Sequence, residues 1–540
     1  MRKTYGILLL VLFIISTGSG QKSLPEIRKE GNKFTFYLDD KPYLILGAQL
    51  WNSSVWPQIT DQFWDQAKAL GCNTIEAPIY WQNIEPEPGK FNFTELDHLV
   101  QTAREHGQKL VLLWFGSYKN GRSQYAPPWV LDNPKKYPRM QNAAGQDIYV
   151  LSAVSKTNLE ADKNAFVAVM KHLKKIDSAD QTVIMVQVEN EPGSMWTNRD
   201  YSAEANRLYA QKIPKIVAEK LDKKQDAWAA TFGVDGPEAF NAYYIATYID
   251  QIAQAGKAVY NLPMYANVWI RENAFQRPGE YPSGGPTSNM IDLWKAVAPN
   301  LDLLALDVYH GNPNIFNQLC DNYDRPDNAL FVPEMGNGHN FARFQFYAIG
   351  NYNAIGVAPY GIDPFHVDPH DQRDKEHLDG RFTGIAQNYH LLAKAMYPIT
   401  QLQGSEKLVA VGEEEGMSEQ LVHLENYDVL FQYGFPTYKE RSQRTGRALI
   451  GQLGPDEFLL IGFDAKFLFR PTYGSGYNAA EYIIAEQGHY EGKKWVRERI
   501  WNGDALYHAT LPSDGAILKI KLRRVAAADD TKVKANFDKQ

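Results

Sequence analysis

The chain has 540 residues, 56 Lys and Arg against 63 Asp and Glu, and a formal net charge of −7. That length exceeds a single hydrophobic core and calls for a barrel-sized domain of ~250 residues or more with a second domain beside it. The acidic balance and the lack of any long basic run exclude a nucleic-acid binder, and two cysteines in the whole chain, Cys72 and Cys320, exclude a disulfide scaffold.

The chain opens with "MRKTYGILLLVLFIISTGSGQ". Arg2 and Lys3 precede an apolar run, and small residues follow at Gly18 and Gly20. This reads as a signal peptide over residues 1–20 and makes the mature protein exported, periplasmic or extracellular. The apolar run falls short of the ~20 residues that span a bilayer. Next, "KFTFYLDDKPYLILGAQLW" sets two strand-like runs on either side of "DDKP", a hairpin signal.

From there to about residue 395, strand-like and helical text alternates. The strand candidates are "YLILGAQ", "NTIEAPIYW", "KLVLLWFG", "TVIMVQVEN", "PMYANVWI", "LDLLALDVYH", "ALFVPEMG" and "AIGVAPYG". Helical spacing lies between them, as in "TDQFWDQAKALG", "FTELDHLVQTAREHG" and "LEADKNAFVAVMKHLKKID". Eight strands alternating with helices predict an α/β fold, a (β/α)8 (TIM) barrel preceded by the β-hairpin, over residues 21–395. Cys72 reads as a buried free thiol, and neither cysteine has neighbours at zinc-ligand spacing. From 396 to 540 the text changes to strands separated by "GPDE", "YGSGYN", "WNGD" and "PSDG". That predicts an antiparallel β-sandwich as a C-terminal accessory domain, with a frayed tail.

A barrel of this kind carries its active site at the C-terminal ends of its strands. Strand four ends in "VENEPG" and strand seven in "VPEMGNG", so Glu191 and Glu334 face one cleft. A single strand-end Glu reads as a structural ion pair. Two of them are the minimum for glycoside hydrolysis, one carboxyl protonated as acid and one ionised as nucleophile. Alternation along strand four would send Glu191, Glu189 and Gln187 into the barrel, with Ile184, Val186, Val188 and Asn190 on the other face. Glu189 then sits in the lumen, one layer below Glu191, and helps keep Glu191 protonated.

Aromatics make up 13% of the chain, which fits a sugar-binding cleft and a large core equally well. Trp51, Trp81, Trp114, Trp196, Trp269 and Tyr360 stand near strand ends as sugar platforms or as packing. The Asp- and His-rich "DPFHVDPHDQRDKEHLDG" matches no ligand spacing and reads as a solvated loop. No metal site and no cofactor site is expected, and the glycines of "GNGHN" and "GPDE" are turn residues rather than phosphate cradles.

The runs "AKALGCNTIEAPIYWQNIEPEPGKFNF" and "VQVENEPG" resemble glycoside hydrolase family 35, the β-galactosidases of the retaining (β/α)8 clan. The β-rich tail is similar to that of bacterial members related to xyloglucan-acting enzymes. The resemblance implies Glu191 as acid/base and Glu334 as nucleophile. It also implies Asn190 as a donor to the sugar 2-hydroxyl and Tyr309 as the residue orienting Glu334. Trp51, Tyr360 and Glu189 complete the expected substrate-binding set. The implied activity is release of terminal β-linked galactose from oligo- or polysaccharides, xyloglucan side chains among them. The chain departs from the pattern twice. The family's "TYVPW" is "APIYW" here, with Pro78 in place of a sugar-contacting Tyr and Tyr80 two places on. Its strand-three Glu is absent from "LLWFGSYKNG". Another β-glycosidase of the same clan therefore stays open, and a non-catalytic glycan-binding protein is the remaining alternative.

Overall fold

The computed structural model describes residues 22–363, 382–434 and 445–526. The N-terminal segment expected to be a signal peptide, the stretch after Asp363 rich in Asp and His, and the C-terminal tail lie outside the described residues. Eight parallel strands close into a barrel. They are β1 Ile45–Gln49, β2 Thr74–Tyr80, β3 Lys109–Lys119, β4 Val183–Asn190, β5 Met264–Val268, β6 Leu303–Val308, β7 Val332–Met335 and β8 Gly356–Pro359. These are the eight runs read from the sequence. Every residue of β4 is buried, because a parallel barrel strand is covered by the lumen on one face and by helices on the other.

The covering helices are α1 Pro57–Leu70, α2 Thr94–Glu105, α3 Lys156–Asp177, α4 Gly236–Val259, α5 Ile291–Val297, α6 Pro313–Tyr323, α7 Ala342–Asn351 and α8 Thr383–Lys394. Helix α2 shows why they form. It buries Leu96, Leu99, Val100 and Ala103, a single stripe at helical spacing. Helix α1 ends at Gly71, whose φ of 76° lets its N–H reach the carbonyls of Ala67 and Lys68. Among the described residues, no helix is long and apolar enough to cross a membrane.

The hairpin Lys33–Leu38 and Lys41–Pro42 turns through Asp39 and Asp40, both left-handed. It pairs with Glu26–Glu30. Both cysteines are buried and free.

The C-terminal strands are β9 Leu408–Gly412, β10 Glu419–His423, β11 Tyr427–Gln432, β12 Arg447–Gly454, β13 Glu457–Phe463, β14 Lys466–Pro471, β15 Tyr477–Glu491, β16 Lys494–Trp501 and β17 Ala516–Ala526. They form a six-stranded sheet, β9-β12-β13-β17-β15-β16, and a three-stranded sheet, β10-β11-β14. Strands β12 and β13 have two buried faces. Ala448, Ile450, Phe458 and Leu460 pack into the core between the two sheets. Leu449, Leu459, Ile461 and Phe463 turn the other way and join the core of the barrel. The large sheet is thus the middle layer of three. Arg447 is fully buried at this junction. It donates to Asn388 Oδ1 of α8 at 2.7 Å and to the Gly384 carbonyl at 3.1 Å, and burial lowers its pKa to about 9.

Candidate active site

Strands β4, β6 and β7 each deliver a carboxylate to the same end of the barrel. Glu191 follows the last residue of β4, Asp307 lies near the end of β6, and Glu334 lies within β7. Asp307 and Glu334 are directly paired across the β6–β7 ladder. One carboxylate oxygen from each of the three residues falls within 4.8 Å of the others. All three are buried, at the floor of a cavity of about 380 Å³. Lys119, Trp269, Tyr309 and Tyr360 line it as well.

The surroundings treat the carboxylates differently. Glu334 accepts from Tyr309 Oη at 2.5 Å on Oε1 and from Gln49 Nε2 at 3.1 Å on Oε2. Two donors on two oxygens stabilise a carboxylate. Glu191 has its backbone N–H held by Asn267 Oδ1 at 2.8 Å. Burial pushes its carboxyl up to about 8, and the charge of Glu334 adds to this against the opposing pull of Lys119 and Asp307. The other end of the Asn267 amide donates to Asp307 Oδ2 at 2.7 Å. Asp307 is raised well above the usual carboxylate range, by burial first and then by Glu334 and Glu191. Lys119 Nζ reaches Asn190 Oδ1 at 2.7 Å. The buried Asn190 Nδ2 has no partner among the described residues.

Glu189 is not where strict alternation sends it. Glu189 and Glu191 have φ of 65° and 43°. Two left-handed residues on either side of Asn190 break the period of two at the strand end. Glu189 turns to the helix side. Its Oε1 accepts from Ser117 N at 3.0 Å and its Oε2 from Tyr118 N at 2.6 Å, beside Asp162 of α3. The deeper lumen carboxylate is Glu76 of β2 instead, fully buried next to Tyr265 of β5. It is raised well above the usual range by burial and by Glu334. Asp307 was also missed, although it stands two residues before Tyr309. On a strand that spacing means a shared face, and this signal was available in "LDVYH".

The aromatics divide. Trp269 and Tyr360 line the cavity. Trp51 packs edge-on against Tyr360, ring centroids 4.9 Å apart. Trp81 and Trp114 are buried packing residues, their indole N–H groups bound to Glu85 and Asp162. Tyr80 stacks on Tyr125 at 5.3 Å and accepts from Val55 N, so it does not replace the missing Tyr. Trp196 is 54% exposed and left-handed at φ 66°, with Arg122 stacked 4.9 Å from its ring.

The chain matches a known family over part of its length. The glycosyl hydrolases family 35 model matches residues 35–312, and a domain of unknown function matches residues 385–510. Beta-galactosidase 8 of Oryza sativa subsp. japonica is 30% identical over 172 residues, 31% of this chain and 24% of that protein. The β-galactosidase of Xanthomonas manihotis is 25% identical over 214 residues, 38% of this chain and 33% of that protein. The chain therefore matches only about a quarter to a third of the length of these relatives. The solved β-galactosidase of Rahnella sp. R3 superposes with a TM-score of 0.47 at 16% identity, over 68% of this chain and 57% of that one. With its family match running over more than half its length, the chain belongs to glycosyl hydrolases family 35.

Proposed function

We propose that this protein is a retaining β-galactosidase that works by double displacement. The observation that carries the reading is the unequal pair Glu191 and Glu334, oxygens within 4.8 Å. One is held toward its protonated form and the other carries a donor on each oxygen. Retaining glycosidases separate their two carboxyls by ~5 Å so that one can attack the anomeric carbon directly. Glu334 attacks that carbon while the glycosidic C–O bond breaks and Glu191 passes its proton to the departing oxygen. A galactosyl ester on Glu334 results. Water then attacks the same carbon, gives its proton to Glu191, and frees Glu334. Asn190 Nδ2 donates to the 2-hydroxyl, and Trp269 and Tyr360 present rings to the sugar faces. The protein acts after export, on galactose-terminated oligosaccharides or on side chains of polysaccharides such as xyloglucan.

Glu334→Ala and Glu191→Ala each lower turnover of an aryl β-galactoside by roughly three orders of magnitude or more. Azide rescues both, giving the inverted glycosyl azide from Glu334→Ala and the retained one from Glu191→Ala. Near-normal turnover by either variant rejects the assignment. One observation favours another sugar specificity: β3 brings the cation Lys119 to the cleft, whereas the family carries a Glu at the end of that strand. A panel of aryl β-glycosides, with lactose and galactosylated xyloglucan oligosaccharides, decides. Cleavage of the glucoside or mannoside but not the galactoside transfers the mechanism to that sugar.

A further inference from the structure

The third carboxyl has no part in the double displacement described above, yet it is the most enclosed of the three. Asp307 Oδ2 takes the Asn267 Nδ2 hydrogen bond, while Oδ1 is buried without any partner. One of its carboxyl oxygens lies within 4.8 Å of one from Glu191. An ionised Asp307 would be a second anion beside Glu334, and one of three once Glu191 has delivered its proton, all within 4.8 Å, with one nearby ammonium, Lys119, to balance them. A carboxylate oxygen buried without a donor is a costly state. Protonation relieves that state and makes the carboxyl a hydrogen-bond donor.

We propose that Asp307 is a neutral carboxylic acid in the resting enzyme and a fixed hydrogen-bond donor to Glu191, positioning that side chain and stabilising the carboxylate it becomes after delivering its proton. Asn267 sets the geometry, since one amide holds both the Glu191 backbone and the Asp307 side chain. In the resting site, Glu191 and Asp307 each carry a proton, and the charge of Glu334 balances that of Lys119. In the first step the Glu191 proton leaves with the departing alcohol and Glu334 becomes a neutral ester. Glu191 is then the single anion, and Asp307–H donates to it. In the second step water supplies the proton that restores Glu191, and Glu334 is ionised again. Asp307 keeps its proton throughout.

The groups facing Asp307 fit this. Glu191 and Glu334 flank it, and Lys119 reaches in from β3. Tyr265 of β5 and Tyr323 of α6 are fully buried nearby, and burial raises both phenols. Tyr309 donates a hydrogen bond to Glu334, and His310 and Glu272 line the cavity.

The inference rests on the glycosidase reading, so its test carries a readout outside turnover. Asp307→Ala removes the donor. The expected result is a 10- to 100-fold fall in kcat, on the scale of one hydrogen bond to a charged group. The alkaline limb of kcat/KM, set by Glu191, moves upward by about one pH unit. Asp307→Asn keeps a neutral donor, recovers at least about tenfold of the loss, and returns the limb toward its original position. An ionised Asp307 gives the opposite sign: both variants remove a negative charge, and both limbs move down. That outcome overturns the proposal. Difference infrared spectroscopy of the resting enzyme against Asp307→Asn must also show a protonated-carboxyl band lost in the variant; its absence overturns the proposal even if a variant folds poorly. If no β-glycoside is cleaved, the glycosidase reading fails while the infrared band still decides the proton on Asp307.

Discussion

Replacing Glu189 by glutamine changes the proton content of the folded chain without touching the cleft. Glu189 and Asp162 form a buried acid pair between β3 and α3. Asp162 accepts from Ser117 N at 3.0 Å and from Trp114 Nε1 at 2.9 Å, and Glu189 accepts from Ser117 N and Tyr118 N. The packing is close: a Cβ added at Gly116 would fall 2.6 Å from Glu189 Oε1 and 2.7 Å from Asp162 Oδ1. Burial and the charge of Asp162 hold the Glu189 carboxyl well above its usual range. The folded chain therefore keeps a proton that the unfolded chain loses near pH ~4.3. A raised carboxyl contributes fully below the unfolded value, and its contribution drains away as pH rises toward the folded value. The slope is about 1.4 kcal/mol per pH unit for one proton.

Glutamine keeps the shape and cannot titrate. Its oxygen retains the 2.6 Å bond from Tyr118 N, and its NH2 donates to Asp162 as the shared proton did. Ser117 N loses one acceptor but keeps Asp162. The direct cost is thus about one hydrogen bond, ~1 kcal/mol. Urea denaturation from pH 5 to pH 8 is the assay. Near pH 5 the variant is slightly less stable than the parent, and with rising pH the two midpoints converge and cross, because only the parent carries the slope. Parallel curves would refute the proton-sharing pair. A shift in the pH profile of turnover would return Glu189 to the cleft.

Tyr309→Phe removes the 2.5 Å donor from Glu334 and leaves Gln49 in place. A hydrogen bond to a charged group sets the expected loss in kcat/KM at about 10- to 100-fold, read on an aryl β-galactoside, and a change below threefold rejects the contact as an orienting one. Trp196→Ala removes an exposed ring five residues past the proposed acid. It should raise KM for oligosaccharides by about 2- to 10-fold, the worth of one ring contact, and leave a small aryl galactoside unaffected. Equal effects on both substrates would make Trp196 a loop-packing residue.

The barrel is legible because its strands are apolar on both faces and each is followed by a helix with one buried stripe. The sandwich is less so. Arg447–Gly454 carries two glycines and buries both faces, so "RALIGQLG" has neither alternation nor bulk to mark it. Lys494–Trp501 is a largely exposed strand at the sheet edge, and its charges read as loop. Glu191, Asn190, Glu334 and Tyr309 could be located from strand ends alone, since each lies at the end of a strand or just past it. Glu189 could not. Alternation assumes extended φ at every position, and nothing in the letters of "VENEPG" announces two left-handed glutamates. Glu76 was hidden for a different reason. It sits in the lumen mid-way along β2, where a sequence shows only one polar residue among apolar ones.

Charge conservation connects the departures of this chain from its family pattern. A buried carboxyl cluster resists any step that changes its net charge, because uncompensated charge costs far more there than in water. With Asp307 neutral, the anion on Glu334 in the resting state becomes an anion on Glu191 in the intermediate, and Lys119 balances either one. The ammonium already bonds Asn190 Oδ1, so it is held where that charge moves and needs no rearrangement. A carboxylate at the end of β3, as the family pattern has it, would add one more anion to this enclosure. With Asp307 protonated, Lys119 balances the one anion that the site carries in each state, and substitution at Lys119 should be felt at both Asp307 and Glu191.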